Sequence, residues 1–335
     1  MSAILVTGSA GFLGSHLVEY LADLDYHVVG IDNLFRGKYI PRKCKFYKID
    51  LVTEFDKLLG LVKSVKPEIV IHYAAINGTR YFYEIPHKVL DLNVRMTQNI
   101  LSAIASVGSV DKIVYASSSE VYGEPLQIPT PESHPILLDV QADRDSYAVS
   151  KAVGEFYVRL FSKEYGVKYL ILRIFNTYGP RMDTSEYGQV IPEFIRKVFF
   201  DSEFTLYGDG KQTRAFMYIE DHVRLVTKLI QKVPNVIVNV GNDKEIAILE
   251  LARLIHEIVG RPFRPKFLPP RPNDRKRRCP DITLLKALTN DYPRIDLVEG
   301  LVRTINWYAN LWGIKIDINE ERIQELRMRI QGKGS

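Results

Sequence analysis

The first half of the chain alternates short, nearly continuous apolar runs with longer stretches in which apolar residues return every three or four positions. The apolar runs fall at residues 4–7, 27–31, 45–49, 68–73, 112–116 and 169–175. They are rich in Ile and Val and alternate little with polar residues, the pattern of strands buried on both faces. The periodic stretches, around 12–23, 55–65, 87–107 and 147–165, carry helical spacing. Strand and helix in turn predict a doubly wound parallel α/β sheet.

After Asn176 the pattern loosens. Gly-Pro at 179–180, Tyr-Gly-Asp-Gly at 207–210 and Pro-Pro at 269–270 punctuate shorter elements, and the run 263–272 is proline-rich. This predicts a smaller second domain over 178–214 and 241–318. Residues 215–240, with a helix over 221–231 and a strand over 236–240, are expected to return to the main sheet and complete a larger domain begun by 1–177. Residues 319–335 mix Glu and Arg at helical spacing and read as an exposed, fraying tail.

Composition narrows the classes. With 335 residues, 46% of them hydrophobic, there is ample material for a buried core, which excludes a disordered chain. The formal net charge of +5 lacks the dense basic stripe of a nucleic-acid binder. The two cysteines, Cys44 and Cys279, are far apart and have neither metal-ligand nor disulfide-framework spacing, which points to no metal and a reducing, cytoplasmic setting. The first strand begins at residue 3 or 4, which leaves no space for a signal peptide. No apolar run approaches the ~20 residues of a membrane span.

Two motifs carry chemistry. Residues 4–14 read Ile-Leu-Val-Thr-Gly-Ser-Ala-Gly-Phe-Leu-Gly, an apolar strand that breaks into a turn with Gly8, Gly11 and Gly14 at every third position and then opens a helix. Such a turn lets backbone N–H groups, here near Phe12 and Leu13, approach a pyrophosphate at the helix N-terminus. Alternatively, the glycines only let the strand pack close to the helix. Asp32, eighteen residues after Gly14 and followed by Asn33, suits both hydroxyls of an adenine ribose and repels a 2′-phosphate, which favours NAD. The bland alternative is a strand-end cap. Arg36 and Lys38, just beyond, would soften that preference. Asp50 and Leu51 close the third strand, within reach of the adenine edge. Ala74 and Ala75 close the fourth, either beside the cofactor or as ordinary core, and Asn93 suits a supporting role behind it.

The second motif is Tyr147 and Lys151, a phenol and an ammonium one helical turn apart. A free phenol titrates near ~10, too high for a base at neutral pH. Lys151 and a nicotinamide cation would favour the phenolate and let Tyr147 accept a proton from a sugar hydroxyl. On its own this pair is commonplace on helix surfaces, and its company with the glycine turn gives it weight.

With these motifs stand residues 117–123 (Ser-Ser-Ser-Glu-Val-Tyr-Gly), 173–181 (Arg-Ile-Phe-Asn-Thr-Tyr-Gly-Pro-Arg), 207–214 (Tyr-Gly-Asp-Gly-Lys-Gln-Thr-Arg) and 278–282 (Arg-Cys-Pro-Asp-Ile). In that order, over about residues 3–312, the chain resembles the extended short-chain dehydrogenases/reductases of the NAD-dependent nucleotide-sugar epimerase/dehydratase family. The resemblance implies a Rossmann fold with a C-terminal substrate domain, NAD, and C4 oxidation to a 4-keto sugar with the hydride returned each cycle. It implies that Ser118 shares the substrate oxygen with Tyr147, and that Lys151 bonds the nicotinamide ribose. Asn176, Arg214 and Arg278 would hold the diphosphate, where Arg suits bidentate phosphate contacts, and Tyr207 would lie beside the base. It also implies a homodimer formed by helices 87–107 and 147–165 in a four-helix bundle.

Within the family, Glu120 discriminates. Sugar 4-epimerases are usually small or neutral at this position, whereas 4,6-dehydratases carry a carboxylate that removes the C5 proton. Ser119 stands where many dehydratases have an acidic Asp. Ser-Ser-Glu is similar to the Thr-Ser-Glu of GDP-mannose 4,6-dehydratases and UDP-glucuronate decarboxylases, and 173–181 and 279–282 resemble the decarboxylases too. Residues 76–83 and the neighbours of Tyr147 depart from that subgroup. The expectation is chemistry at C5 or C6 assisted by Glu120, with 4-epimerisation as the alternative and Glu120 then a loop cap. A non-catalytic NAD-sensing or RNA-associated protein is the rival from another class. The basic cluster Arg271, Arg275, Lys276, Arg277 and Arg278 reads as a solvated face apart from Arg278; a nucleic-acid patch is the lesser alternative.

Overall fold

The computed structural model describes residues 3–185, 187–201, 203–232, 234–270 and 275–331. Arg271 lies outside them. Strands β1 (Ala3–Thr7), β2 (His27–Asp32), β3 (Lys45–Lys48), β4 (Ile69–His72), β5 (Lys112–Ser118) and β6 (Lys168–Ile174) form one sheet with a later strand, β11 (Val236–Val240). Its order is β11-β6-β5-β4-β1-β2-β3, and every neighbouring pair is parallel. Successive residues of β1 serve opposite faces. Ile4 and Val6 pack with Leu17 and Leu21 of α1 (Phe12–Asp23), while Leu5 joins Leu58, Ile100 and Val158. Those three come from α2 (Phe55–Val65), α4 (Pro86–Ala105) and α5 (Ser146–Tyr165). Both faces are therefore covered, which explains why these strands read as unbroken apolar runs. The order of strands reverses between β1 and β4, and the crevice there, at the strands' carboxyl ends, is where a doubly wound sheet binds its ligand.

The short helix α3 (Tyr81–Glu84) lies in the loop after β4. Among the described residues, the smaller part of the chain holds three small sheets. Strand β7 (Thr177–Tyr178) pairs with β10 (Met217–Tyr218), and β8 (Phe204–Tyr207) with β13 (Pro265–Leu268), so the proline-rich run contains an edge strand. The third has the order β12-β9-β14, from β9 (Thr213–Ala215), β12 (Glu245–Ala247) and β14 (Arg277–Arg278). Around them pack α6 (Val190–Phe200), α7 (Ile219–Lys232), α8 (Ile248–Val259), α9 (Thr283–Thr289) and α10 (Leu297–Leu311).

The expected fraying tail is instead a docked helix, α11 (Glu320–Gln331). Leu326 is buried, Arg327 pairs with Glu299 and Asp296, and Arg329 pairs with Glu257. The Glu/Arg mixture that suggests a solvated tail is what anchors this helix to α10 and α8. Among the described residues, no helix is long and apolar enough to cross a membrane.

Candidate active site

The glycine turn is built by close backbone approach. Gly8 adopts φ +70°, and a side-chain carbon there would sit 2.7 Å from the backbone nitrogen of Ala74. At Gly14 the same carbon would lie 2.0 Å from the Gly8 carbonyl oxygen. The Gly11 N–H donates to that carbonyl at 3.1 Å, and Gly11 caps α1 with no side-chain bond. The first-turn N–H groups, those of Phe12 and Leu13 among them, have no acceptor within their own helix, which suits a pyrophosphate. Gly37, which sequence reasoning missed, packs on the same turn: a carbon added there would lie 2.6 Å from the Ala10 carbonyl carbon.

Asp32 is buried at the end of β2, where Oδ2 accepts from Ala10 N–H at 3.0 Å and Oδ1 from Leu34 N–H at 2.7 Å. Burial raises its carboxyl above the usual range, against the pull of those two bonds. Asn33 donates to Asp50 Oδ2 at 2.8 Å, and Asp50 Oδ1 accepts from Val52 and Thr53 N–H. Burial works to raise the Asp50 carboxyl, but these donors prevail and lower it. The Leu51 side chain is core, and its carbonyl accepts from Asn99 at 2.7 Å. Asn93 is buried: its Oδ1 accepts from Ile76 N–H at 2.7 Å, and its Nδ2 donates to Ser150 Oγ at 3.2 Å. It thereby pins the loop after β4, with Ala74 and Ala75, against α5. Arg36 donates to Asp183 at 3.1 Å and to the Tyr187 carbonyl at 3.3 Å. Beneath this floor the His72 ring bridges Thr7 and Thr97, held neutral by burial and the Lys151 charge, which push it down to about 3.

We expect Asp32→Ala to weaken NAD and to relax its preference over the 2′-phosphorylated cofactor. The substitution removes a ribose acceptor and leaves two backbone donors unpaired, each costing about 1–3 kcal/mol if buried. Calorimetric titration with both cofactors checks this; unchanged affinities would make Asp32 a turn cap alone.

The candidate reaction centre forms where β5 ends beside the start of α5. Tyr147 is buried and stacked on Phe82, ring centroids 4.8 Å apart and 16° from parallel, with Ser118 placed to favour its phenolate. Ser118 Oγ also accepts from Glu120 N–H at 3.2 Å, starting the 3-10 turn Ser119–Tyr122. Ser119 is buried within that turn. Lys151 Nζ lies 5.8 Å from the centre of the Tyr147 ring. The expected lowering of Tyr147 does not occur in the chain alone. Burial and the Glu120 charge raise the phenol, while burial brings Lys151 down to about 7. Both groups are desolvated together, so each favours its neutral form.

Glu120 points into the cleft and meets two guanidinium groups. Arg278 binds it bidentately at 2.8 and 2.9 Å, and Arg144 lies at 3.3 and 3.4 Å. Burial by itself would raise this carboxyl, but Arg278, Arg144 and Arg214 hold it at about 2. Arg278, expected on a diphosphate, is thus seated on Glu120. Asn176, Tyr207, Arg214, Glu120, Arg144 and Arg278 line one pocket. Asn176 donates to the Ala215 carbonyl at 3.2 Å and Arg214 to the Thr213 carbonyl at 2.8 Å. Arg144 was missed by sequence reasoning, although its place three residues before Tyr147 was a usable signal. The solvated face expected of 275–277 holds for Lys276 and Arg277, which are exposed, the latter beside Glu245, and is corrected for Arg275, which is mostly buried on Asp145.

A parallel doubly wound sheet with a glycine turn at its switch point, and a Ser-Tyr-Lys centre facing a pocket rich in arginine, define an NAD-binding short-chain dehydrogenase/reductase. The chain belongs to the NAD dependent epimerase/dehydratase family, whose sequence profile matches residues 4–241. It is 39% identical over 312 residues to a provisionally named UDP-glucose 4-epimerase of Methanocaldococcus jannaschii, covering 92% of this chain and 98% of that one. It is 34% identical to UDP-glucuronic acid decarboxylase 1 of Arabidopsis thaliana, covering 92% of this chain and 70% of that one. Among solved structures, the UDP-glucose 4-epimerase of Thermotoga maritima with UDP-glucose superposes with a TM-score of 0.87 at 30% identity, covering 92% of this chain and 99% of that one. The chain is an NAD-dependent enzyme of this nucleotide-sugar epimerase/decarboxylase family.

Proposed function

We propose that this enzyme oxidises C4 of a nucleotide sugar and then works at C5 or C6, by decarboxylation or dehydration. The observation that carries this reading is the bidentate Glu120–Arg278 pair lining the substrate pocket, close enough for the Glu120 charge to act on Tyr147. NAD, when bound on the glycine turn, supplies hydride acceptance from C4 and later its return. Tyr147 takes the C4 hydroxyl proton, and Ser118 shares that oxygen. A ketone at C4 acidifies the C5 proton and labilises a carboxylate at C6. Glu120 is the acceptor for the C5 proton, with water then lost from C6, or it assists the loss of carbon dioxide. At about 2 its carboxyl is a weak base while Arg278 and Arg144 hold it. A substrate anion competing for Arg278 would return it towards the ordinary carboxylate range.

The same saturated ion pair supports 4-epimerisation as a second reading. A carboxylate already satisfied by arginines serves as a fixed pocket wall, and two of the three relatives named above bear a UDP-glucose 4-epimerase name. Incubation with a panel of UDP-, GDP-, CDP- and dTDP-sugars separates the chemistries by mass. Loss of carbon dioxide or of water supports the proposal, and inversion at unchanged mass supports the second reading.

We also propose a homodimer through α4 and α5. On α5, Phe156 and Leu160 are 58% and 60% exposed, and Tyr157 is exposed beside them. An apolar stripe one helical turn long suits a two-fold helix pairing. Light scattering is expected to report a dimer at micromolar concentration and a monomer for Leu160→Glu; a monomeric wild type would refute it.

A further inference from the structure

The extended segment 275–278 touches both turns that carry catalytic groups. Arg278 grips Glu120 in the turn after β5, and the Lys276 N–H donates to Glu124 Oε2 at 3.3 Å just beyond it. Arg275 pairs with Asp145, which ends the 3-10 turn Asp143–Asp145 and stands two residues before Tyr147. The last two residues of the segment form strand β14, in register with β9 so that Arg278 lies opposite Arg214. Thr213 N–H bonds the Lys276 carbonyl at 3.0 Å, and Arg214 reaches the same carbonyl. This one segment thus connects the arginines of the pocket with the start of α5.

Asp145 itself shows that this connection is specific. It occupies the N-cap position of α5, where an aspartate ordinarily accepts from its own helix's first N–H groups. Here it makes no such bond. Its Oδ1 takes Arg275, and its Oδ2 accepts from Asp139 N–H at 3.0 Å. The aspartate is 2% exposed and the arginine 11%, so the pair is shielded from screening by water.

We infer that Asp145–Arg275 is a positioning pair, which ties occupation of the pocket by a nucleoside diphosphate to the placement of Tyr147. This rests on reading the pocket as the nucleotide-sugar site, but not on which reaction follows C4 oxidation. An anion drawn onto Arg214 and Arg278 loads the paired strands β9 and β14 that carry them, and Arg275, two residues before β14, transmits that load to the turn from which Tyr147 projects. Displacement of a reacting group by about 1 Å commonly costs about 10²-fold in rate. Neither Asp145 nor Arg275 lines the pocket itself, although Asp145 adjoins Arg144, which does, so loss of the pair is expected to fall on turnover and not on binding.

The test is a double-mutant cycle on the full-length enzyme, with kcat and KM measured on the nucleotide sugar it converts. Arg275→Gln and Asp145→Asn are each expected to lower kcat about 10- to 100-fold. KM, and the affinity for the corresponding nucleoside diphosphate alone, should stay within about twofold of wild type. The double variant should be no worse than either single one, because the two residues act as a unit. Arg275→Lys, which keeps the charge, should recover most of the turnover. Should Asp145→Asn fail to fold, the comparison of Arg275→Gln with Arg275→Lys still decides. A rise in KM at unchanged kcat would make Arg275 a simple ligand contact, and multiplicative losses would make the two residues independent. An Arg275→Lys variant as slow as Arg275→Gln would reduce the pair to packing. Each of these overturns the inference, while product mass separately judges the C5/C6 reading.

Discussion

Tyr147→Phe is expected to lower turnover by about 10²- to 10⁴-fold, the usual loss on removing a general base, while NAD binds as in the wild type. The substitution is clean because the ring is held by its stack on Phe82 and by burial, neither of which needs the hydroxyl. What disappears is the proton acceptor for C4. In the chain alone, burial and the Glu120 charge keep this phenol protonated. The wild type should therefore become faster as pH rises through the neutral range, as a base-limited step requires, and the variant should lose that dependence. Steady-state rates across pH, with cofactor affinity measured separately, check both parts. Near-normal turnover would remove Tyr147 from the reaction.

Glu120→Gln is expected to stop the reaction after C4 oxidation, again at a cost of about 10²- to 10⁴-fold in product formation. The amide keeps the shape and loses the basicity, so reduced nicotinamide and a 4-keto sugar should accumulate in a single turnover, visible by absorbance. Retained 4-epimerisation by this variant would falsify the assignment and promote the second reading. The substitution also breaks an ion pair. Removing one partner of a buried pair costs about 3–5 kcal/mol, because the other charge stays behind, so a thermal melt belongs beside the kinetics. The acid side gives an independent check. The Glu120 carboxyl is held at about 2 in the folded chain, below its unfolded value of about 4.3. Its contribution to stability is therefore present above that unfolded value and is lost as pH falls from there through about 2. Acid unfolding of Glu120→Gln should be flatter over that window than that of the wild type.

What the amino-acid sequence determined about this protein by itself lies in short-range pattern. The apolar runs of β1 to β6, the glycines at 8, 11 and 14, and the one-turn spacing of Tyr147 and Lys151 are local, and local spacing sets backbone geometry and the face a side chain takes. From these the parallel sheet, the cofactor turn and the family were legible. The tertiary structure alone decided which charges meet. Glu120 and Arg278 stand 158 residues apart, and Asp145 and Arg275 stand 130 apart. No periodicity encodes such pairings, because they depend on the path of two loops that converge only after the sheet has formed. For the same reason Arg36 faces Asp183, the Glu/Arg-rich tail docks as α11, and Arg275 is a buried partner and not a solvated face. In each case burial against a distant element lowers the local dielectric and makes a charge seek its opposite, a choice that only the folded chain can present.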